Sequence, residues 1–94
     1  MASGSAVAGK YWHNLGSEWK LYFDNGKTYI RSNNMAADCT HNRAYMDKDH
    51  YTTFPDYYKS MYAYLLAGAT TGKSLAIVLD NTETTCKFYG AETS

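Results

Sequence analysis

Residues 68–74, GATTGKS, carry the glycines, lysine and hydroxyl of a phosphate-binding loop. Such a loop cradles phosphates on backbone N–H groups between a strand and the helix it opens, with four residues between its glycines. Here three residues, Ala69, Thr70 and Thr71, separate Gly68 from Gly72, one short of the pattern. His41, Asp47, Asp49 and His50 offer imidazole and carboxylate donors, but their order matches no recognised ligand spacing, and they read as ordinary polar-loop residues. Cys39 and His41 lack a third group to orient a base. Nothing here supplies a nucleophile with its base, so no enzymatic activity, metal or cofactor is expected.

The binding candidate is in residues 18–32, EWKLYFDNGKTYIRS. Asn25-Gly26 between two alternating runs predicts a two-residue type I′ hairpin. That loop length fixes the register: Asp24 faces Lys27, Phe23 faces Thr28, Tyr22 faces Tyr29, Leu21 faces Ile30 and Lys20 faces Arg31. Alternation puts Trp19, Leu21, Phe23 and Ile30 on one face, assigned to the core, and Lys20, Tyr22, Tyr29 and Arg31 on the other. Two tyrosines flanked by two cations can stack on a sugar ring and pair with a carboxylate, as in sialic acid. The same face would suit a single-stranded nucleic acid. The ordinary alternative is a stabilising cross-strand tyrosine pair. Lys20 opposite Arg31 is repulsive, which points to an anionic partner. On the preceding stretch Tyr11 and Trp12 are neighbours, so strand alternation exposes one of them.

The elements that must position these residues follow from composition and pattern. Ninety-four residues suffice for one domain with one modest core. Nine basic and nine acidic side chains cancel, so no strong field favours nucleic acid or an anionic membrane. Ten Tyr, two Trp and three Phe exceed what so small a core can hold, which predicts an aromatic interface or ligand platform. No apolar run approaches the roughly 18 residues of a membrane span. Residues 1–8 lack the basic and apolar parts of an intact signal peptide and read as a flexible N-terminus or cloning remnant, leaving 9–94 as the domain. Cys39 and Cys86 are too far apart for a CxxC motif; they are either one disulfide or two buried thiols. A disulfide would close a loop of about 48 residues, for roughly 4 kcal/mol in the chain-entropy model.

Lys10 to Leu15 reads as a first strand ending at Gly16, ahead of the hairpin. Residues 33–51 are polar and irregular, with a short extended piece around Arg43 to Met46. Pro55 and Asp56 open a helix at its positive end, and Tyr58, Met61, Tyr62, Leu65 and Ala69 line one face. Gly72 is placed to cap it, with Lys73 by the negative end. The opposite face, Tyr57, Ser60, Ala63, Tyr64 and Ala67, is small or aromatic where a solvated face carries charges, which predicts contact with other subunits. Ser74 to Asp80 is apolar on both faces and reads as a central strand; Thr85 to Gly90 returns as the last one. The order β-β-β-α-β-β predicts a mainly-β domain with one helix, an OB-fold-like five-stranded Greek-key barrel; an open α+β sandwich fits the same string.

Residues 54–80, FPDYYKSMYAYLLAGATTGKSLAIVLD, resemble a group of small exported bacterial proteins. These share a helix of roughly K-S-M-Y-x-x-L-L-A-A, then x-S/T-G-K, a strand and a closing Cys. That pattern is similar in turn to the B subunits of subtilase-type AB5 toxins, OB-folds that form pentameric rings and bind cell-surface glycans. The resemblance implies a secreted or periplasmic protein, a Cys39–Cys86 disulfide, helices gathered around a central pore in a homo-pentamer, a glycan ligand, and a toxin A-type subunit of unknown identity. No stretch of the N-terminal half matches the toxin subunits' glycan motif, so no binding residue carries over. The rival readings are a single-stranded nucleic-acid-binding OB domain, against which zero net charge counts, and an assembly protein with no small ligand.

Overall fold

The computed structural model describes residues 9–46, 52–53 and 55–94. The order is β1 (Lys10–Gly16), β2 (Lys20–Asp24), β3 (Lys27–Arg31), a 3-10 turn (Thr40–Asn42), β4 (Arg43–Met46), α1 (Pro55–Thr71), β5 (Leu75–Asp80) and β6 (Lys87–Thr93). The strands form one six-stranded sheet in the order β1-β5-β6-β4-β3-β2. All neighbours are antiparallel except β4 and β6.

The β2–β3 hairpin has the expected register from Lys20↔Arg31 to Asp24↔Lys27. Asn25 (φ 52°) and Gly26 (φ 76°) both adopt the positive φ that a type I′ turn requires. The fold has six strands where five are expected. The added one, β4, is the extended piece expected around Arg43 to Met46, which pairs as a full strand and alternates Arg43 and Tyr45 with buried Ala44 and Met46.

β1 and β2 occupy opposite edges of the sheet, yet only Ser17, Glu18 and Trp19 join them. Four Cα steps span at most about 14 Å. The edges of a flat six-stranded sheet lie roughly 24 Å apart. The sheet therefore curls until its two edges approach each other. Leu15, Ile30, Met46, Leu65, Leu75, Ile77, Leu79 and Phe88 fill the curl and are all but sealed from solvent.

α1 closes the core with Met61, Leu65 and Gly68. Ala69, expected on this stripe, is exposed. It lies about 100° round the helix from Gly68, and the stripe at i, i+4 and i+7 passes through the glycine instead. Gly72 (φ 70°) ends the helix as the pattern predicts. The Lys73 N–H donates to Gly68 O (3.0 Å) and the Gly72 N–H to Ala69 O (3.4 Å), the paired bonds of a Schellman cap. GATTGKS is therefore a helix terminator followed by a strand, the reverse of a phosphate loop.

Phe23, assigned to the core, is 61% exposed. It lies near the end of the edge strand β2, where its ring meets Tyr62 of α1 (centroids 5.5 Å apart). Its cross-strand partner Thr28 is buried and hydrogen-bonded to the Tyr58 hydroxyl at 2.9 Å. Cys39 and Cys86 form a disulfide across 47 residues of sequence, which decides between the alternatives left by the cysteine count. Both are buried, and the bond ties the loop after β3 to the start of β6.

Candidate functional site

On the sheet face away from the core, β2, β3 and β4 set their side chains in rows. Tyr22, Tyr29 and Tyr45 are paired in register across the strands, and so are Lys20, Arg31 and Arg43. Directly opposed residues share a face, so three rings lie in one row and three cations in the next. The hairpin register made Lys20, Tyr22, Tyr29 and Arg31 legible in sequence. Arg43 and Tyr45 enter only with β4.

The tyrosine row is covered by its own neighbours. Tyr22 stacks on Tyr29, with centroids 5.2 Å apart and planes 15° from parallel. The Arg43 guanidinium sits 4.2 Å above the Tyr29 ring, and Lys27 lies 4.6 Å above that of Tyr45. Tyr29 is consequently buried, contrary to its assignment to an exposed platform, and its burial is the work of Arg43 and Tyr22. Arg43 Nη1 donates to the Tyr22 hydroxyl at 2.9 Å and lies 3.9 Å from Asp24 Oδ2. The Tyr22 bond, working against burial, holds the Arg43 pKa above its ordinary value, so its charge is fixed.

Lys20 and Arg31 form no ion pair among the described residues. Beside them opens a pocket of about 360 Å³ lined by Tyr22, Arg31, His41, Asn42 and Arg43. A smaller concavity of about 190 Å³ shares His41 and Arg43 and reaches Thr40 and Cys86. His41 (φ 61°) and Asn42 (φ 55°) are consecutive non-glycine residues in the left-handed region. Each costs roughly 1–2 kcal/mol of backbone strain, which persists only where surroundings enforce it. Here the disulfide, the Thr40 N–H bonded to Thr84 O (2.9 Å) and the Asn42 carbonyl accepting from the Ser32 N–H (3.0 Å) do so.

The helix face assigned to subunit contact is exposed at Tyr57, Ser60, Ala63, Tyr64 and Ala67. Its two tyrosines also reach back to the sheet. The Tyr57 hydroxyl donates to Tyr89 O (2.8 Å), and the Tyr64 oxygen accepts from the Thr93 N–H (2.9 Å). Hydrogen bonding from Thr93 holds the Tyr64 phenol below its usual pKa. The outward surface is completed by Leu66, 47% exposed, which sequence reasoning missed because it breaks the spacing of the small residues.

Trp12 and Tyr11 are both exposed rather than one of the two. Trp12 borders an open concavity of about 540 Å³ that also holds Asn14, Ala76 and Glu92. Its floor is low because Ala76 lies between Asn14 and Glu92 in register. Asp47, Asp49 and His50 lie outside the described residues, and the described ones contain no group of metal-ligating side chains. No described helix is long and apolar enough to cross a membrane.

The chain matches no protein-family model, no curated protein and no solved structure.

Proposed function

We propose that this chain is a non-enzymatic, exported domain of the OB type that assembles into a homo-oligomeric ring, a pentamer as its resemblance to AB5 B subunits implies, and presents a glycan-binding surface. The OB reading is supported by taking β1 and β2 as two arms of one strand bent at Gly16, where φ is 66°. Five strands then remain in a closed Greek-key order with one parallel contact, between β4 and β6. An extracellular or periplasmic location is supported by the disulfide, since such bonds persist in oxidising compartments.

The observation that carries self-association is the outer face of α1. Along 17 residues the helix has only Asp56 and Lys59 as charges, while Ala63, Leu66, Ala67 and Ala69 face solvent. Small apolar side chains let a neighbouring helix approach closely, and removing Leu66 from water contributes up to about 2 kcal/mol per subunit. Light scattering on the eluting species at tens of micromolar is expected to give five times the chain mass, falling to one in Leu66→Glu. Because Leu66 is exposed, that variant keeps its fold. A wild-type monomer at high micromolar concentration ends the assembly reading.

The nucleic-acid alternative needs exposed rings on which bases can stack. On this face Tyr29, beneath Arg43 and Tyr22, does not provide one, and the exposed Tyr11 and Trp12 lie on β1 instead. The glycan surface therefore centres on the Tyr22 and Arg31 side of the face, and a glycan array with Tyr22→Ala tests it.

A further inference from the structure

We infer that the pocket between Arg31, His41, Asn42, Arg43 and Tyr22 is a binding site for a tetrahedral oxyanion, a sulfate or phosphate ester, carried by the ligand of this face. The inference rests on reading the face as a ligand surface, and it names the group that surface recognises.

Charge is the first argument. The protein is formally neutral, yet Lys20, Arg31 and Arg43 stand in one lateral row, each directly opposite the next. Like charges in opposed cross-strand positions destabilise a sheet. Neither Lys20 nor Arg31 is relieved by a described carboxylate, and Asp24 answers Arg43 alone, at 3.9 Å. An anion in the pocket relieves the repulsion between Arg31 and Arg43, the two members of the row that line it.

Convergence is the second. Residues that carry donors line the pocket from three elements: Arg31 from β3, Arg43 from β4, and His41 with Asn42 from the 3-10 turn. A planar carboxylate is satisfied by a single guanidinium fork. Donors from separate directions suit oxygens pointing in separate directions, as on sulfate or phosphate. A volume of about 360 Å³ admits such a group with part of its carrier.

Preorganisation is the third. Arg43 is immobilised by the Tyr29 ring and the Tyr22 hydroxyl. Left-handed His41 and Asn42 are held by the disulfide and by backbone bonds to Thr84 and Ser32. Strained backbone beside a cationic pocket, enforced by a covalent tie, is an arrangement that binding sites retain.

The test is an amide and side-chain NMR titration of the intact oxidised protein with inorganic sulfate, inorganic phosphate and acetate, at ionic strength fixed with chloride. Sulfate or phosphate should give saturable shifts at Arg31, His41, Asn42 and Arg43, with acetate at least tenfold weaker. Arg31→Gln, an exposed position that leaves the tyrosine stack untouched, should weaken the tetrahedral anion at least tenfold. Lys59→Gln on the helix should not. Saturation by sulfate but not phosphate assigns a sulfate ester, and the reverse a phosphate ester. Non-saturating shifts, equal binding of acetate, or indifference to Arg31→Gln would overturn the assignment. The same titration on Leu66→Glu separates it from assembly, and glycan binding without any sulfate or phosphate response would remove the oxyanion while leaving the glycan surface.

Discussion

Substituting Gly68 by alanine probes how closely the helix lies on the sheet. On a solvent-facing turn this change stabilises a helix by about 0.8–1.0 kcal/mol, since alanine loses less backbone freedom on folding. At Gly68 the new Cβ would stand 2.8 Å from Thr93 Cγ2 and 3.5 Å from Trp19 Cζ2. Trp19 cannot retreat freely, because its indole N–H donates to Lys73 O at 2.8 Å. Thr93 is anchored through its backbone N–H on Tyr64, and its branched side chain has few rotamers. Overpacking of this kind costs about 1–3 kcal/mol. The difference leaves Gly68→Ala less stable by roughly 1 kcal/mol, a fall in Tm of about 4–8 °C for a domain of this size. Thr93→Ser removes the offending methyl group, so the double variant should recover the loss, with a coupling of about 1–2 kcal/mol in a double-mutant cycle. Urea unfolding of the four proteins measures all of these terms. A Gly68→Ala variant that is more stable than the parent would show that the helix does not press on Thr93 and Trp19, and the reasoning would fail.

Replacing Cys39 and Cys86 together by serine should cost about 2–5 kcal/mol, with about 4 kcal/mol expected from closing a loop of this length; denaturant midpoints with and without reductant measure it. Burial pushes the Asp80 carboxyl up, but hydrogen bonds from the Thr82 hydroxyl and N–H, with Lys10 and Lys87 nearby, bring it below its ordinary value. Its contribution is therefore full above the unfolded pKa of about 3.9 and disappears as pH falls through the lower folded value. Asp80→Asn should flatten the acid limb of the stability profile by less than about 1 kcal/mol, measured by thermal melts between roughly pH 5 and 2.

The parts of the fold that were legible are those fixed by local chemistry. Asn25-Gly26 dictates a turn, the turn dictates a register, and the register places Lys20 across from Arg31. Gly72 ends the helix because only a left-handed residue completes the cap. What escaped depends on neighbours distant in sequence. Period-2 alternation says that Phe23 and Ile30 share a face, but not that Phe23, at the sheet edge, stays exposed beside the helix. Tyr29 looked available because its cover, Arg43, belongs to a four-residue extended piece whose partner strand, β3, is not named by its own sequence. Placing RAYM beside KTYIR would have aligned Arg43 with Arg31 and revealed the third cation. The αL turn at His41 and Asn42 had no signal, as neither residue type demands it.

The parallel contact between β4 and β6 consists of two register pairs, Tyr45↔Lys87 and Met46↔Phe88. It is the seam between an antiparallel triplet β1-β5-β6 and another, β4-β3-β2. The disulfide lies at the end of that seam, where the Tyr45 N–H also donates to Cys86 O at 3.1 Å. Each triplet keeps its own ladders if the seam parts. Cutting the covalent tie should therefore turn one cooperative unit into two, with the amides of the triplets exchanging their protons at separate rates. The chain joins the triplets again through residues 17–19, so the opening is a hinge and not a release. Oxidation then acts as the step that converts a reversible clasp into a closed one.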